Sequence, residues 1–393
     1  MSKVRRIGIL TGGGDVPGLN SVIKSVVYKS TELGFEVVGI RRGWEGLTHM
    51  KPGADLDAFY LRPLDRLNTR GIDRSGGTVL HTSRTNPIRI KQGKTPAHVA
   101  AAQLEKLRVD ENYFDFTPIV LDNIARLGLD YLIPIGGDDT LSYAQVLSAK
   151  GVPLIAVPKT MDNDVHGTEY CIGFSTAITR AKELINRQRS TMGSHERIGV
   201  FRIFGRDSGF TALYAAFVTS ARCVLPEVEF DLDALVALLI EDKRNNPSSY
   251  SFVIASEGAV WKGQKLAEFG ESDAYGHKKK ADVGHALAEE IKMRTGEDTM
   301  SSDLTYDLRS GEADSLDHMV AITFANIAMD LVRDGVSGRM VAIQDGKYTH
   351  APLPDPKAGP RRVDVERLYS RKRFRPLYSG KLNSPMFLSA EHS

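Results

Sequence analysis

Two acidic clusters contain the residues best suited to chemistry. They are the runs GGDDT at 136–140 and PKTMDND at 158–164, which together hold four aspartates. If these carboxylates lie together they repel, since two charges about 4 Å apart cost about 4 kcal/mol at an effective dielectric of about 20. A magnesium ion, which prefers oxygen ligands and phosphate partners, relieves that repulsion. The clusters therefore predict a magnesium site, with helix capping as the alternative for Asp139 and Thr140, because aspartate and threonine favour N-caps.

A glycine-rich run, TGGGD at 11–15, is the second chemical signal. Glycines let backbone N–H groups approach an anion, beside the positive end of the following helix dipole. A tight turn without a ligand is the alternative, because glycine-rich strand ends are common. A dinucleotide fingerprint needs glycine where the chain has Pro17, and a P-loop needs Gly-Lys-Ser/Thr where it has GLN at 18–20. The loop therefore predicts anion binding, and Pro17 disfavours a nicotinamide dehydrogenase.

The elements that must position these motifs alternate between strands and helices. Short apolar segments end in glycine or proline and lead into helical periodicity, which is typical of a parallel sheet covered by helices. The predicted strands are 7–10, 131–135, 154–157, 198–204, 251–255 and 340–343, and the predicted helices are 19–32, 141–149, 175–190, 281–294 and 317–334. Because parallel strands end at one edge of a sheet, both acidic clusters should lie beside the glycine loop.

Bulk properties exclude several classes of protein. The chain has 393 residues, which suggests two domains or one α/β domain with a large second lobe. A net charge of +2 gives no global field for nucleic acid or membrane surfaces. The apolar runs are too short for a membrane span or signal peptide, and two cysteines, Cys171 and Cys223, make no disulfide framework or metal site. We expect a cytoplasmic protein.

A set of motifs resembles that of the phosphofructokinases, in family order. The segments are TGGGDVPGLN (11–20), GGTVLHTSRTNP (76–87), GGDDT (136–140), PKTMDND (158–164), SHERIGVFRIFGR (194–206), SEG (256–258) and YDLRSGEADSLD (306–317). They cover most of residues 5–345, and VERLYSRKRFRP at 365–376 resembles the C-terminus of pyrophosphate-using members. The chain is identified as a member of this family. PKTMDND and YDLRSG argue against lipid and NAD kinases, which share a GGDG-like loop.

The resemblance implies an α/β fold of two Rossmann-like three-layer lobes with mostly parallel sheets and the active site in the cleft between them. The donor and magnesium lobe would hold residues 1–173 plus about 307–357. The sugar-phosphate lobe would hold residues 174–306 plus about 358–393, including the C-terminal tail. A homo-oligomer, dimer or tetramer, is also implied.

Catalytic and metal-binding roles follow from the same resemblance. Asp162 would take the proton from the sugar's 1-hydroxyl, and such a base contributes about 10²–10⁴-fold. Arg84 would reach the transferring phosphoryl group, whose equatorial oxygens need positive charge. Asp138 would hold Mg²⁺, while Asp164 would support the ion or orient Thr160.

Substrate-binding roles are assigned in the same way. The implied donor-binding residues are Gly13, Gly14, Asp139, Thr140 and Lys159, the glycines acting through their amides. The implied sugar-phosphate residues are Arg197, Phe204, Gly205, Arg206, Glu257, Tyr306 and Arg309. In the family, the counterpart of Arg197 comes from a neighbouring subunit. The chain departs from its relatives at Phe204, a usual methionine, at Tyr306, a common histidine, and at Met300, an arginine in many ATP-using members.

Two positions favour pyrophosphate over ATP as the donor. ATP-using members generally have glycine where this chain has Asp139 and again where it has Lys159. The Asp139 carboxylate would clash with a nucleotide's α-phosphate, and Lys159 suits the small, highly charged pyrophosphate. The alternatives without a role in donor binding are a helix cap for Asp139 and an ordinary surface lysine for Lys159. The expected reaction is reversible transfer from pyrophosphate to fructose 6-phosphate; an ATP-dependent enzyme and a non-catalytic regulatory subunit remain alternatives.

Overall fold

Strands and helices alternate along the chain in the structure, a computed structural model that describes residues 5–53, 57–264, 268–269, 279–280 and 282–377. The strands are β1 (Arg5–Thr11), β2 (Phe35–Ile40), β3 (Leu61–Leu64), β4 (Ile90–Lys91), β5 (Tyr113–Phe114), β6 (Tyr131–Gly136), β7 (Ile155–Pro158), β8 (Ile198–Ile203), β9 (Arg222–Val224), β10 (Ser251–Ser256), β11 (Glu268–Phe269), β12 (Lys279–Lys280), β13 (Thr299–Asp303), β14 (Arg339–Gln344), β15 (Lys347–Pro352), β16 (Tyr369–Ser370) and β17 (Arg375–Pro376). The α-helices are α1 (Leu19–Glu32), α2 (Trp44–His49), α3 (Ala101–Leu107), α4 (Thr117–Arg126), α5 (Asp138–Ala149), α6 (Phe174–Ser194), α7 (Phe210–Thr219), α8 (Leu232–Asn245), α9 (Val283–Thr295), α10 (Thr305–Arg309), α11 (Ser315–Arg333) and α12 (Val365–Leu368). Short 3₁₀ turns occupy Ile72–Arg74, Pro87–Arg89 and Pro356–Ala358.

The larger sheet has seven strands in the order β15-β14-β7-β6-β1-β2-β3. Its five central strands pair in parallel, and the edge strands β3 and β15 are antiparallel to their neighbours. Every residue of β6 is buried. That continuous burial is typical of a parallel strand covered on both faces.

A second sheet has four strands, all parallel, in the order β13-β8-β10-β9. The first sheet uses strands from before residue 159 and after residue 338, whereas the second uses strands between 198 and 303. The predicted α/β class with mostly parallel sheets is confirmed. The exact lobe boundaries stay a prediction, supported by this division of the strands.

The predicted elements are confirmed, and most of their ends move by only a residue or two. The helix predicted at 19–32 is α1, which begins after Gly18 and buries Leu19, Val22 and Ile23. Gly18 has φ 103°, and a Cβ there would lie 2.6 Å from Ile172 Cγ2, so both backbone angle and space require glycine. The largest difference at a helix start is α5, which begins at Asp138 instead of residue 141.

Helix α11 is, among the described helices, the one long and apolar enough to cross a membrane by length and composition. Half of its most apolar window is buried inside the protein, and it packs against α1, α6, β7 and β14. A core helix passes the same test, so the finding is weak evidence for a membrane span.

Asp317 joins the start of α11 to the start of α6. Its carboxylate is fully buried and accepts hydrogen bonds from the Tyr170 hydroxyl (2.7 Å) and the Gly173 amide (2.8 Å). It also accepts from the Thr176 amide (2.8 Å) and hydroxyl (2.6 Å). One side chain therefore satisfies donors that would otherwise be buried without partners.

We expect Asp317→Asn to lower the free energy of unfolding by about 1–3 kcal/mol, because the carboxamide leaves a buried donor without an acceptor. Asp330→Asn on the same helix is the control. Asp330 forms a surface ion pair with Arg333, and such pairs contribute at most about 1 kcal/mol to the free energy of unfolding. Urea unfolding followed by circular dichroism measures both. Equal shifts in the two variants would contradict this account of Asp317.

Candidate active site

The carboxyl ends of both sheets face one cleft of about 400 Å³. Most of the predicted site residues line it, namely Gly13, Gly14, Arg84, Asp138, Asp139, Thr140, Lys159, Thr160, Asp162, Asp164, Phe204, Arg206, Glu257 and Arg309. Gly205, Tyr306 and Arg197 do not line this cleft. Residues that are up to 296 positions apart in the chain are thus brought together.

Strand order explains the meeting of the acidic clusters with the glycine loop. β6 lies between β1 and β7, so the segments that follow these three strands are neighbours. The Gly12 amide donates to Ile135 O (3.0 Å) and the Lys159 amide donates to Gly136 O (3.0 Å), which extends the ladder past the strand ends. The predicted juxtaposition is confirmed.

Thr140 fills the space between two of these segments. A Cβ on Gly12 would lie 2.5 Å from its Oγ1, and a Cβ on Gly136 would lie 2.2 Å from its Cβ. Real side chains do not approach so closely, so both positions require glycine. Thr140 is 2% exposed, and it packs the loops together beneath the cleft.

One of the two glycine amides predicted to bind phosphate, that of Gly13, already has a partner within the protein. The Gly13 amide donates to Ser83 O (3.0 Å), so it already has an acceptor within the protein. The Gly14 amide has no hydrogen-bond acceptor within the described residues. Phosphate binding through Gly14 therefore stays a prediction, whereas Gly13, with φ 78°, shapes the turn.

The capping alternative for Asp139 and Thr140 is wrong. Helix α5 has Gly137 as its N-cap, in an extended conformation and without a side-chain hydrogen bond. Asp138 and Asp139 lie in the first turn, where the helix dipole favours negative charge. Their carboxylates line the cleft.

Asp138 and Asp164 form an electrostatically strained pair. Burial, followed by repulsion from Asp164 and Asp139, raises the pKa of Asp138 to about 8. Burial raises the pKa of Asp164 to about 6, although its own backbone hydrogen bonding and the charge of Arg361 lower it. Among the described residues no three His, Cys, Asp or Glu side chains form a metal-binding group. Two carboxylates on the wall of one cleft nevertheless fit Mg²⁺, which keeps several waters and commonly uses one or two carboxylates plus substrate phosphates.

Asp162 lies in the same segment and points into the cleft. Burial, with repulsion from Asp164 and Glu257, raises its pKa well above the usual range, and Arg206 acts in the opposite direction. Its Oδ1 atom is buried without a hydrogen-bond partner within the described part of the chain. A cation placed near Asp164 favours the ionised form of Asp162 by ordinary Coulomb attraction.

Lys159 supplies a buried cation opposite these carboxylates. It is 4% exposed, and its Nζ donates to Gly14 O at 2.5 Å. Its pKa is lowered to about 8, chiefly by burial and also by the nearby Arg84 and Arg309, although Asp15 and Asp139 act in the opposite direction. The surface-lysine alternative is wrong for Lys159, because the side chain is inside the protein.

Arg84 reaches the cleft through a loop that is tied to the glycine loop. Thr82 Oγ1 donates to Gly13 O (2.6 Å), and the hydroxyls of Thr11 and Thr78 lie 2.9 Å apart. Ser83 Oγ donates to Arg42 O (2.6 Å). These contacts fix the loop on both sides of Gly13, so Arg84 has a defined place on the cleft wall.

The opposite wall follows strands β8 and β10. Gly205 has φ 122°, and a Cβ there would lie 2.2 Å from Ser256 Oγ, so Gly205 shapes the turn beneath Phe204 and Arg206. Arg202 Nη2 lies 3.3 Å from Glu257 Oε2. The Arg206 Nε donates to Asp207 Oδ2 (2.8 Å).

Arg309 stands at the junction of the two walls. Its guanidinium carbon lies 4.8 Å from the centre of the Tyr306 ring and 5.8 Å from that of Phe204. Its Nε is 3.7 Å from Asp15 Oδ1. Tyr306 is 69% exposed and stacks on Arg309 outside the cleft, so its expected phosphate contact stays a prediction.

Arg197 lies far from the cleft of its own chain. It precedes β8, whereas Phe204 and Arg206 follow it. A strand of six residues spans about 20 Å. The expected contribution of Arg197 to the cleft of another copy of the chain therefore stays a prediction.

Sequence reasoning missed several residues of the cleft. Asp15 and Asp207 line it and stand directly beside residues that were predicted. Residues 354–356 and 359–360 also line it, from a proline-rich segment for which the sequence predicted no site residue. Arg361 ends this segment and contacts the loop of Asp162, without any local motif that indicates the contact.

Comparison with known proteins agrees with this geometry. The family model described as phosphofructokinase matches residues 6–332. A pyrophosphate–fructose 6-phosphate 1-phosphotransferase of Streptomyces coelicolor is 36% identical over 364 residues, 91% of this chain and 96% of the relative. An ATP-dependent 6-phosphofructokinase of the same organism is 36% identical over 353 residues, 89% and 94% of the two chains. The crystal structure of a pyrophosphate-dependent phosphofructokinase from Marinobacter aquaeolei aligns with a TM-score of 0.72 at 17% identity, covering 95% of this chain and 89% of that one.

The lowered pKa of Lys159 predicts pH-dependent anion binding. Lys159 is charged below pH about 8, so affinity for sulfate, whose own charge is constant in this range, should fall as pH rises through that value. Lys159→Arg should show a smaller decline, because arginine stays protonated, whereas Asp138, whose pKa is also raised to about 8, ionises over the same range in both proteins. Calorimetric titrations between pH 6.5 and 9.5, taken as roughly one and a half units either side of that pKa, measure both proteins. A parallel decline in the two would exclude Lys159 as its cause.

Proposed function

The chain belongs to the phosphofructokinase family, and we propose that it transfers a phosphoryl group from pyrophosphate to the 1-hydroxyl of fructose 6-phosphate, giving fructose 1,6-bisphosphate and phosphate. The observation that carries the choice of donor is the joint presence of Asp139 and Lys159 in one cleft. We expect a reversible, glycolytic reaction in the cytoplasm.

The donor half of the cleft is crowded and charged. Asp139 lies in the first turn of α5, and by the family resemblance it stands where members that use ATP generally have glycine. A carboxylate there obstructs and repels an α-phosphate, which ATP has and pyrophosphate lacks. Lys159, beside Gly14 O, adds positive charge where a small anion with several negative charges would bind. This combination favours pyrophosphate.

Asp162 is the proposed general base. It stands on the cleft wall with an unsatisfied buried oxygen, as a group that accepts a substrate proton would. The Asp162 amide donates to Thr160 Oγ1 (3.1 Å), which fixes the turn that carries the carboxylate. Arg84 and Lys159 would place positive charge beside the transferring phosphoryl group, and most of the catalysis of such transfer is positioning and charge stabilisation.

Asp138 and Asp164 are the proposed magnesium ligands. Their mutual repulsion and raised pKa values are the features that a divalent cation removes. When bound, Mg²⁺ neutralises phosphate oxygens of the donor. The chain's own part is to hold the two carboxylates at the ends of β6 and β7.

The acceptor half would bind the sugar phosphate through arginine. A guanidinium matches phosphate oxygens in bidentate fashion, and Arg206 and Arg309 lie on the cleft wall. Glu257 would accept hydrogen bonds from sugar hydroxyls, beside Phe204. Arg197 would come from a second subunit, so the proposed enzyme is a homo-oligomer.

An ATP-dependent enzyme is the second candidate. Relatives with both kinds of name have the same 36% identity to the chain, so overall similarity does not choose between the donors. The choice therefore depends on Asp139 and Lys159 and on an assay of both donors.

Donor choice should change when these two residues change. The parent should prefer pyrophosphate; Asp139→Gly should begin to accept ATP, because space is opened and repulsion removed. Lys159→Gly should weaken pyrophosphate use by about 10-fold to 100-fold, since a contact to a charged group is worth about 1.5–3 kcal/mol. The double variant should shift the ratio of kcat/KM values most, at a lower total rate.

Steady-state kinetics of the four proteins with fructose 6-phosphate, Mg²⁺ and either donor measure this. A parent that prefers ATP, or an Asp139→Gly variant with an unchanged ratio of kcat/KM values for the two donors, would show that Asp139 and Lys159 do not determine the choice of donor. The family assignment would survive either result.

Hybrid oligomers test Asp162 and Arg197 together. Asp162→Ser should lose about 10²–10⁴-fold in turnover through loss of the base, and Arg197→Ala should be inactive through loss of an acceptor contact. Mixing the two after subunit exchange should restore activity, because some clefts then receive Asp162 from one chain and Arg197 from the other. Confirmed exchange without recovered activity would contradict the shared cleft.

A further inference from the structure

The loop that carries the proposed base is held from inside by the residue between its two aspartates. Asn163 is 2% exposed and has φ 53°, a left-handed conformation that few residues other than glycine adopt. Its Nδ2 donates to Glu169 O (2.9 Å), and its Oδ1 accepts from the Cys171 amide (2.8 Å). With Asn163 turned into the protein, Asp162 and Asp164 on either side are turned into the cleft.

Arg361 holds the same loop from the other side. Its amide donates to Asp164 O (2.6 Å). Its Nη2 donates to Asn163 O (2.6 Å) and to Glu169 O (3.2 Å), and its guanidinium carbon lies 4.5 Å from the centre of the Phe210 ring. The acceptors are backbone carbonyls of one loop, so Arg361 fixes the path of the chain on which Asp162 and Asp164 stand.

A second buried arginine, Arg222, has a purely structural set of contacts with which those of Arg361 can be compared. Arg222 is 6% exposed and makes a bidentate pair with Asp242, with both N···O distances 2.7 Å. Its Nη1 donates to Arg373 O (2.6 Å), so it too contacts the C-terminal segment. Arg361, in contrast, makes no ion pair within 4 Å among the described residues. Its Nη2 donates to the loop of the acidic cluster, and its Nε is buried without a hydrogen-bond partner in the described part of the chain.

The segment that carries Arg361 reaches both sides of the cleft. It leaves the first sheet at β15, lines the cleft at Pro354 and Pro360, and continues to Val363, whose amide donates to Glu227 Oε1 (2.9 Å). Glu227 Oε1 also accepts from the Gly209 amide (2.9 Å), at the start of α7 beside the second sheet. Arg361 is thus fixed between the two walls that must present the substrates to one another.

We propose that Arg361 is a positioning residue for phosphoryl transfer, which holds residues 163–169 so that Asp162 and Asp164 face the cleft. This inference rests on the proposed function for its kinetic consequence. The structural consequence is independent of that function. Loss of the guanidinium should loosen the loop whatever reaction the cleft performs.

Two substitutions of Arg361 and one matched control test the proposal. Arg361→Met removes the donors and keeps an apolar side chain over Phe210, whereas Arg361→Lys keeps the charge with a single ammonium group. Arg222→Lys disturbs a buried arginine that has no contact with the loop. Amide hydrogen exchange by mass spectrometry on peptides covering 159–172 reports the loop, and melting temperature reports the whole fold.

Exchange in 159–172 should be faster in Arg361→Met, partly restored in Arg361→Lys and unchanged in Arg222→Lys, even if Arg222→Lys lowers the melting temperature. With the preferred donor, kcat of Arg361→Met should fall about 10-fold to 100-fold, since a misplacement of about 1 Å can cost about 100-fold. KM for fructose 6-phosphate should stay within about threefold of the parent, because Arg206 and Arg309 lie on other segments.

Unchanged exchange in 159–172, or kcat within about twofold of the parent in a folded Arg361→Met, overturns the proposal. So does a variant whose exchange rises equally in β6 and β8, because that result indicates general unfolding. If Arg361→Met does not fold, the same comparison between Arg361→Lys and Arg222→Lys decides. A parent that transfers from neither pyrophosphate nor ATP defeats the proposed function alone, and the exchange result still decides the role of Arg361.

Discussion

The burial of several carboxylates at one sheet edge is the constraint on which the cleft depends. Asp138, Asp162 and Asp164 stand where β6 and β7 end, and burial raises the pKa of each of them. Two charges about 4 Å apart cost about 4 kcal/mol at an effective dielectric of about 20, so such a cluster lasts only where rigid backbone holds it. The parallel ladder supplies that rigidity, and Arg206 and Arg361 supply positive charge beside the carboxylates.

The same rigidity explains why so many glycines lie around the cleft. Thr140 fits between Gly12 and Gly136 at distances that exclude a Cβ on either. Close approach of the loops brings Lys159 Nζ to Gly14 O. The glycines therefore serve backbone packing first, and an amide such as that of Gly13, bonded to Ser83 O, is used inside the protein.

The sequence predicts what local patterns determine. Apolar runs that end in glycine indicate strands and their carboxyl ends, so the meeting of Asp138 with Asp162 could be predicted from β6 and β7 alone. Contacts between distant segments leave no such pattern. Arg361 bonds to Asn163 across 198 positions, and the outward stacking of Tyr306 depends on Arg309 and its surroundings. The hydrogen bond from the Gly13 amide to Ser83 O could not be predicted either, because its acceptor lies in another loop.

Asp139 and Lys159 act on each other as well as on a donor. The negative charge of Asp139 raises the pKa of Lys159, which burial lowers to about 8. Loss of Asp139 would therefore admit a larger donor and also weaken the charge on Lys159 near neutral pH. Loss of Lys159 would leave the Asp139 carboxylate facing a phosphate without a compensating cation. The donor preference proposed for this cleft therefore depends on Asp139 and Lys159 jointly, because a change at either one alters the charge that the other presents to a donor.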